Sequence, residues 1–456
     1  MKKEIIYLLL LSLVSCSNSP TLEPSIENEN IENSYEDNST SAENESIEIS
    51  SSEEKIDLEL IQYKNIILEE LEDFVAYFNL SKLDKTLKEN VINKHKQCVE
   101  QINALDNISS IKDAYENAKK ELANAIPLAN GEYDYTSLSI QEKTEISGLL
   151  LSYAMQNNFA GIGLAESSDG LSYINLNLNS TSTEDWEELF GENGIVCQTN
   201  KEEYYEVKPI LSNEFFIKGL LHSINRYEFA LNDDSLDQAQ ISPITSKTGY
   251  MLTSGYSILD TENYKNYLNT FSLDENNDIY SVEKARDYFK FAIKELEENN
   301  IYTPGSKDNP TIIEFEIAYM YESQKNRFHD FIKESIEEIF NDEYVTNGNY
   351  ILNITYYVGK TWDETIRLKQ YVGKFDLGIG SIGLSAMMEY YHFLSLSTNT
   401  NISRWSTVNF SFNTNRVDKG ILIYNNERYS YDALLSAAIG NAKIENGSLI
   451  ENEEVD

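Results

Sequence analysis

The chain has 456 residues, with 36 Lys and Arg against 76 Asp and Glu, a formal charge of −40. A surface this acidic repels phosphate backbones, which excludes nucleic acid as a partner, and it repels anionic headgroups, which excludes charge-driven binding to a membrane. The length allows about three domain-sized units.

The N-terminus carries a positive start, Lys2 and Lys3, then an apolar run from Ile5 to Val14. That run falls well short of the ~20 residues a membrane-spanning helix needs, so it reads as a secretory signal. Leu13-Val14-Ser15-Cys16 at its end resembles a lipobox, the motif in which the cysteine is acylated and becomes the first mature residue. Residues 1–16 are therefore expected to be a lipoprotein signal, with Cys16 the lipidation site and an N-terminal lipid the membrane attachment. The alternative is an ordinary secretory signal with an incidental cysteine. Residues 17–54 are dominated by Ser, Asn, Glu and Thr, with no Lys or Arg between Lys3 and Lys55. Such a segment buries too little apolar surface to offset its ordering entropy, and it reads as a disordered acidic tether.

Residues 55–128 change to a helical period. Ile56, Leu60, Tyr63, Ile67, Leu71, Phe74 and Phe78 form one stripe, and Leu83, Leu87, Val91, Cys98, Ile102 and Leu105 a second. Ile111, Ala114, Tyr115, Ala118, Leu122 and Ala125 form a third, capped by Ser109 or Ser110 and ended by Pro127. Short polar turns between amphipathic helices predict a three-helix bundle, read as a spacer.

From 132 to 440 helices and strands alternate. Helices are predicted over 140–157 (with Ser139 as cap), 215–230, 282–299 (with Ser281 as cap), 324–340 and 366–372. Strands are predicted over 171–178, 311–319, 350–357 and 375–382. The fold class expected is α/β or α+β. The acidic tail, 441–456, is expected to be disordered.

The residues offer little chemistry. There is no phosphate-binding Gly-rich loop, no Gly-x-Ser-x-Gly elbow, no His-Glu-x-x-His and no dinucleotide fingerprint. Gly378-Ile379-Gly380-Ser381 lacks the following helix signature of a nucleotide loop. His95, His222, His329 and His392 are scattered singly, and no Cys/His cluster has zinc spacing, so neither a metal nor another cofactor is expected. Cys98 and Cys197 fall in segments assigned to different domains and are read as free thiols, with a disulfide as the alternative.

Five stretches carry a resemblance. They are Trp186 to Gly194 (Trp-Glu-Glu-Leu-Phe-Gly-Glu-Asn-Gly), Val207 to Asn213 (Val-Lys-Pro-Ile-Leu-Ser-Asn), Phe216 to Ala230 with its Ser-Ile-Asn-Arg turn, Tyr280 to Tyr302, and Lys374 to Gly380. In order and spacing they resemble the C-terminal part of the extracellular solute-binding lipoproteins of the oligopeptide ABC transporter class, over residues 132 to 435. The resemblance implies α/β lobes of the periplasmic-binding-protein kind closing over an oligopeptide by hinge bending. It further implies an ABC permease partner, an extracellular lipid-anchored location, and no catalysis. Lys374 to Gly380 would be the strand crossing back toward the first lobe, so Gly378, Gly380, Ser381 and Trp405 are the residues expected to line the cleft. Arg226 is expected to cap or pair at a helix C-terminal end rather than touch ligand.

Two departures stand out. The family places a long first-lobe segment where this chain has only tether and helices, so the first lobe is short or missing. Between Ser381 and Tyr391 the only acid is Glu389, which puts an acidic clamp for a peptide ammonium in doubt. A degenerate member serving surface display or interaction is the alternative reading.

Overall fold

The computed structural model describes residues 52–76, 78–129, 138–156, 162–166, 170–176, 206–233, 238–241, 257–271, 273–276, 278–319, 327–359, 375–383, 422–429, 434, 442–445 and 448–451. Three helices come first: α1 (Ser52–Ala76), α2 (Lys85–Asn103) and α3 (Ile108–Asn124). Part of each apolar stripe is buried, while Leu60, Phe74, Leu87, Leu105, Ala114 and Ala125 are half-buried. Ile67 and Leu71 lie on α1 with Phe78 just past its end, Val91, Cys98 and Ile102 on α2, and Ile111, Tyr115, Ala118 and Leu122 on α3, all buried. Cys98 is a buried free thiol, while Cys197 lies outside the described residues. The cap of α3 is Asn107, not Ser109 or Ser110. Its extended backbone lets Oδ1 accept from the Ser110 amide at 2.8 Å, so Ser110 is already inside the first turn.

The helical segment is tied to later parts of the chain. Lys119 Nζ stands 3.3 Å from Glu214, and Lys112 Nζ 3.6 Å from the buried Glu295. Tyr288 Oη donates to Glu70 at 2.9 Å, and Lys218 is ion-paired with the same carboxylate. The amide of Asp84 donates to Asn426 Oδ1 at 2.8 Å, and Arg428 Nη1 to Asn124 Oδ1 at 3.0 Å.

The remainder mixes helix and sheet. Helix α4 (Ile140–Gln156) opens with a reciprocal capping box: Glu142 accepts from Ser139 Oγ at 2.7 Å, and the Glu142 amide donates to Ser139 Oγ at 3.3 Å. The single helix expected over 215–230 is two, α5 (Glu214–Ser223) and α6 (Arg226–Asp233). The break lies at Ile224-Asn225, where Ile224 takes extended backbone and the Arg226 and Tyr227 amides turn to Asp278 instead of continuing the helix. Then come α7 (Glu262–Thr270), α8 (Val282–Glu298, capped by Ser281 as expected), α9 (Arg327–Phe340) and the short α10 (Glu343–Thr346).

One sheet has the order β3-β1-β2-β6-β4-β5, with β1 Ile162–Glu166, β2 Gly170–Leu176, β3 Gln238–Ala239, β4 Thr311–Tyr319, β5 Tyr350–Val358 and β6 Leu377–Gly383. β4 runs parallel to β5 and β6, while β2 pairs antiparallel with β1 and β6. One face is core: Ile313, Phe315, Ile317, Leu352, Ile354 and Leu377 are all buried. Against it Phe216 of α5, Phe289 of α8 and Phe340 of α9 form an aromatic cluster, with Phe216 to Phe315 at 5.5 Å and Phe289 to Phe340 at 5.3 Å between ring centroids. On the other face Ile312 and Ile351 are half-exposed.

Two hairpins lie toward the C-terminus. β7 (Leu422–Tyr424) and β8 (Glu427–Tyr429) turn at Asn425-Asn426, both at positive φ. β9 (Ala442–Glu445) and β10 (Ser448–Glu451) pair antiparallel within the tail expected to be disordered. Asn446-Gly447 in the sequence between them is a two-residue hairpin turn signal that acidic composition alone does not weigh.

Candidate ligand-binding site

The strand expected to cross between lobes is β6, and it lies inside the sheet. Gly378 is buried, opposite Asn175 of β2 and Ala318 of β4. Gly380 is opposite Tyr173, and Ser381 opposite Ser172. Directly opposed residues share a face, so Gly378 and Gly380 lie on the same face as Tyr173, Asn175 and Ala318. Ser381 falls on the other face, with Leu377 and Leu176. Cys16, Trp405 and Glu389 lie outside the described residues, as does the predicted helix 366–372.

The entry to β6 is fixed by Asp376, which is buried. Its Oδ2 accepts from Lys208 Nζ at 2.6 Å and from the Glu316 amide at 2.7 Å, while its own amide donates to Glu316 O at 3.0 Å. Lys208 Nζ also donates to Glu314 O and stands 5.5 Å from the centre of the Phe315 ring. One carboxylate thus joins the segment before Pro209, the middle of β4 and the start of β6. The charge pair sets register, and its partners satisfy one another inside the fold.

Arg226 is fully buried. Its Nη1 donates to Leu221 O at 3.0 Å and Ile224 O at 3.3 Å, at the C-terminal end of α5, and to Asp278 Oδ1 at 3.1 Å. Its Nε donates to Gly163 O of β1 at 2.8 Å. Burial lowers the Arg226 pKa, and the Asp278 charge opposes that shift. The expected role at the C-terminal end of its own helix is realised on the preceding one: Arg226 is the first residue of α6, and its side chain closes the end of α5. The partner Asp278 lies 52 residues away, a pairing no local spacing signals.

A second buried knot centres on Glu70, which takes the Tyr288 hydroxyl and the Lys218 ammonium. His222 stacks on Tyr288 with centroids 5.6 Å apart, and its Nδ1 lies 2.6 Å from Ile279 O. Burial pushes Tyr288 out of the ordinary phenol range, pulls Lys218 down to about 7, and pulls His222 down to about 4. The Glu69 charge opposes the burial of Lys218, and the Lys284 charge adds to it. Sequence reading missed this knot because its members come from α1, α5 and α8. A hollow lined by Leu149, Ser152, Asn263, Asn266 and Tyr267 has room for about one water molecule, far less than a peptide occupies. Among the described residues no group of three or more His, Cys, Asp and Glu could hold a metal ion, and no helix is long and apolar enough to cross a membrane.

None of the family models and none of the curated proteins matches the chain. Solved structures do. The substrate-binding domain of an oligopeptide ABC transporter from Bacillus anthracis is 14% identical, with TM-score 0.34, over 61% of this chain and 42% of that one. Listeria monocytogenes OppA bound to peptide is 15% identical, with TM-score 0.30, over 63% and 43%. Haemophilus influenzae OppA in complex with RPPGFSPFR is 16% identical, with TM-score 0.29, over 62% and 42%. The chain therefore spans less than half the length of each of them.

Proposed function

We propose that the chain is a membrane-anchored extracytoplasmic solute-binding protein, the peptide-binding component of an ABC transporter, and that it catalyses nothing itself. In this reading Cys16 carries the lipid and residues 17–54 lift the fold from the membrane. Residues 55–128 form the helical spacer, and 132–440 hold the binding region, with Gly378, Gly380, Ser381 and Trp405 at its cleft. The observation that carries the reading is the ordered set of family-like stretches behind a lipobox-like motif. Two of them supply central parts of the fold: Phe216 to Ala230 becomes α5 and α6, and Lys374 to Gly380 leads into β6.

A second reading is a surface-display or interaction lipoprotein, a remnant that has kept part of the fold and lost transport. The short stretch between tether and body favours it, since α1 to α3 stand where the family has its first lobe. A cleft with one wall desolvates a peptide poorly.

Thermal unfolding of the chain from residue 17 onward, titrated with a mixed oligopeptide library, separates the two. A ligand that binds only the folded state adds about 2.7 kcal/mol of stability at a hundredfold excess over its dissociation constant. A raised midpoint is expected for a working cleft. An unmoved midpoint at millimolar peptide, with the transition still cooperative, would leave the display reading in place.

A further inference from the structure

The outer edge of β5 is occupied by side chains. Asp330, Lys333 and Glu337 recur along α9 three and four residues apart and so share one face. Asn341 continues that row just past the helix, its amide still donating to Glu337 O at 2.9 Å. Each of the four meets β5. Asn341 Oδ1 accepts from the Leu352 amide at 2.7 Å, and its Nδ2 donates to Leu352 O at 3.0 Å. Glu337 Oε1 accepts from the Ile354 amide at 2.6 Å. Lys333 Nζ lies 5.8 Å from the centre of the Tyr356 ring, and the Tyr356 hydroxyl lies 3.4 Å from Asp330 Oδ1.

A strand sends the main-chain groups of alternate residues to opposite sides. Leu352 and Ile354 therefore point away from β4, toward the side where another strand would add. The Asn341 carboxamide offers one acceptor and one donor, as a peptide unit does, and gives Leu352 both bonds that such a strand would make. The edge has reason to be closed. β5 reads Tyr-Ile-Leu-Asn-Ile-Thr-Tyr-Tyr-Val, nine residues with no charge, proline or glycine, which is the composition of self-pairing segments. Among the described residues, β3 at the far end of the sheet is two residues long.

We infer that the polar row Asp330, Lys333, Glu337 and Asn341 is an edge lock, which stops β5 from pairing with β5 of a second copy of this chain. The inference stands apart from any ligand the protein carries.

The test is the Glu337→Ala/Asn341→Ala double variant of the full chain, read by amide hydrogen exchange and sedimentation velocity, with Glu337→Gln (which keeps an acceptor for Ile354) as control. The Leu352 and Ile354 amides should exchange faster by about tenfold, the loss expected for a charge-assisted bond and its neighbour. The double variant should also self-associate as its concentration rises, while the parent and the Gln control do not. Adding Ile351→Lys, a charge on the open face of β5, should reverse that association. A double variant that keeps a cooperative thermal transition, stays monomeric and protects both amides as the parent does would overturn the inference. Should the double variant lose its transition, Asn341→Ala alone is measured in the same two ways. Faster exchange at Leu352 with self-association then supports the lock, and a monomer that protects Leu352 as the parent does overturns it.

Discussion

At the scale of single residues the fold holds titratable groups whose shifts oppose one another. His222 is nearly inaccessible, and burial pulls its pKa from 6.5 to about 4. Between those values the unfolded chain binds a proton that the folded one does not. His222 therefore contributes stability above pH 6.5 that is lost as the pH falls toward 4. Asp73 on α1 runs the other way: burial, then the neighbouring Glu69, raise it from 3.8 to about 6. Its contribution is present below pH 3.8 and is lost as the pH rises through 6. The two effects offset one another across pH 4 to 6. Asp73→Asn removes the acid-side gain, so the urea midpoint of that variant should fall more steeply from pH 6.5 to 4 than the parent's. His222→Phe keeps a ring against Tyr288, loses the bond to Ile279 O, and should flatten the same slope. Equal slopes in parent and Asp73→Asn would show that Asp73 titrates normally.

At the scale of elements α5 and α8 are in close contact. A Cβ on Gly219 would lie 2.4 Å from the Phe289 ring, inside the aromatic cluster beneath the sheet. Gly219→Ala adds helix propensity yet must displace that ring, and overpacking of this kind costs about 1–3 kcal/mol. The variant should lower the urea midpoint, and Phe289→Leu in the same chain should restore part of the loss. A neutral or stabilising Gly219→Ala would mean that α5 and α8 can separate freely. The elements themselves were mostly legible, because apolar periodicity reports which face is buried. β4 occupies the predicted residues 311–319, and α8 starts at its predicted cap. Expectations failed both at local caps, as with Asn107 before α3, and where a distant group takes part. α5 and α6 read as one helix because the sequence shows no proline or glycine at Ile224-Asn225, yet Asn225 Oδ1 accepts from the Glu228 amide at 2.9 Å to start α6, and the distant Asp278 takes the Arg226 and Tyr227 amides. The candidate site was legible only as a strand. Asp376, Lys208 and Glu70 act through pairings that carry no local spacing.

At the scale of the molecule the question is whether the helices before Pro127 fold with the rest or beside it. The polar stretch after Leu128 suggests a boundary, yet bonds cross it in both directions. Glu70 takes Lys218 and Tyr288, Lys112 and Lys119 reach Glu295 and Glu214, and β8 returns to the end of α3. There the Arg428 amide donates to Pro127 O at 2.8 Å, and the Ala129 amide donates to Arg428 O at 2.9 Å. Glu70 and Glu295 are buried carboxylates, so removing one side of these pairs leaves the other with a desolvated charge or newly exposed apolar surface. A chain beginning at residue 52 should therefore unfold in urea in one transition, with a larger dependence on denaturant than a chain beginning at residue 132, because more surface is exposed in the same step. The shorter chain should also show the lower midpoint. Equal midpoints, with a second transition in the longer chain, would mean that the helices are an independent spacer and that the crossing bonds add no cooperativity. A single transition would make α1 to α3 part of the folded body.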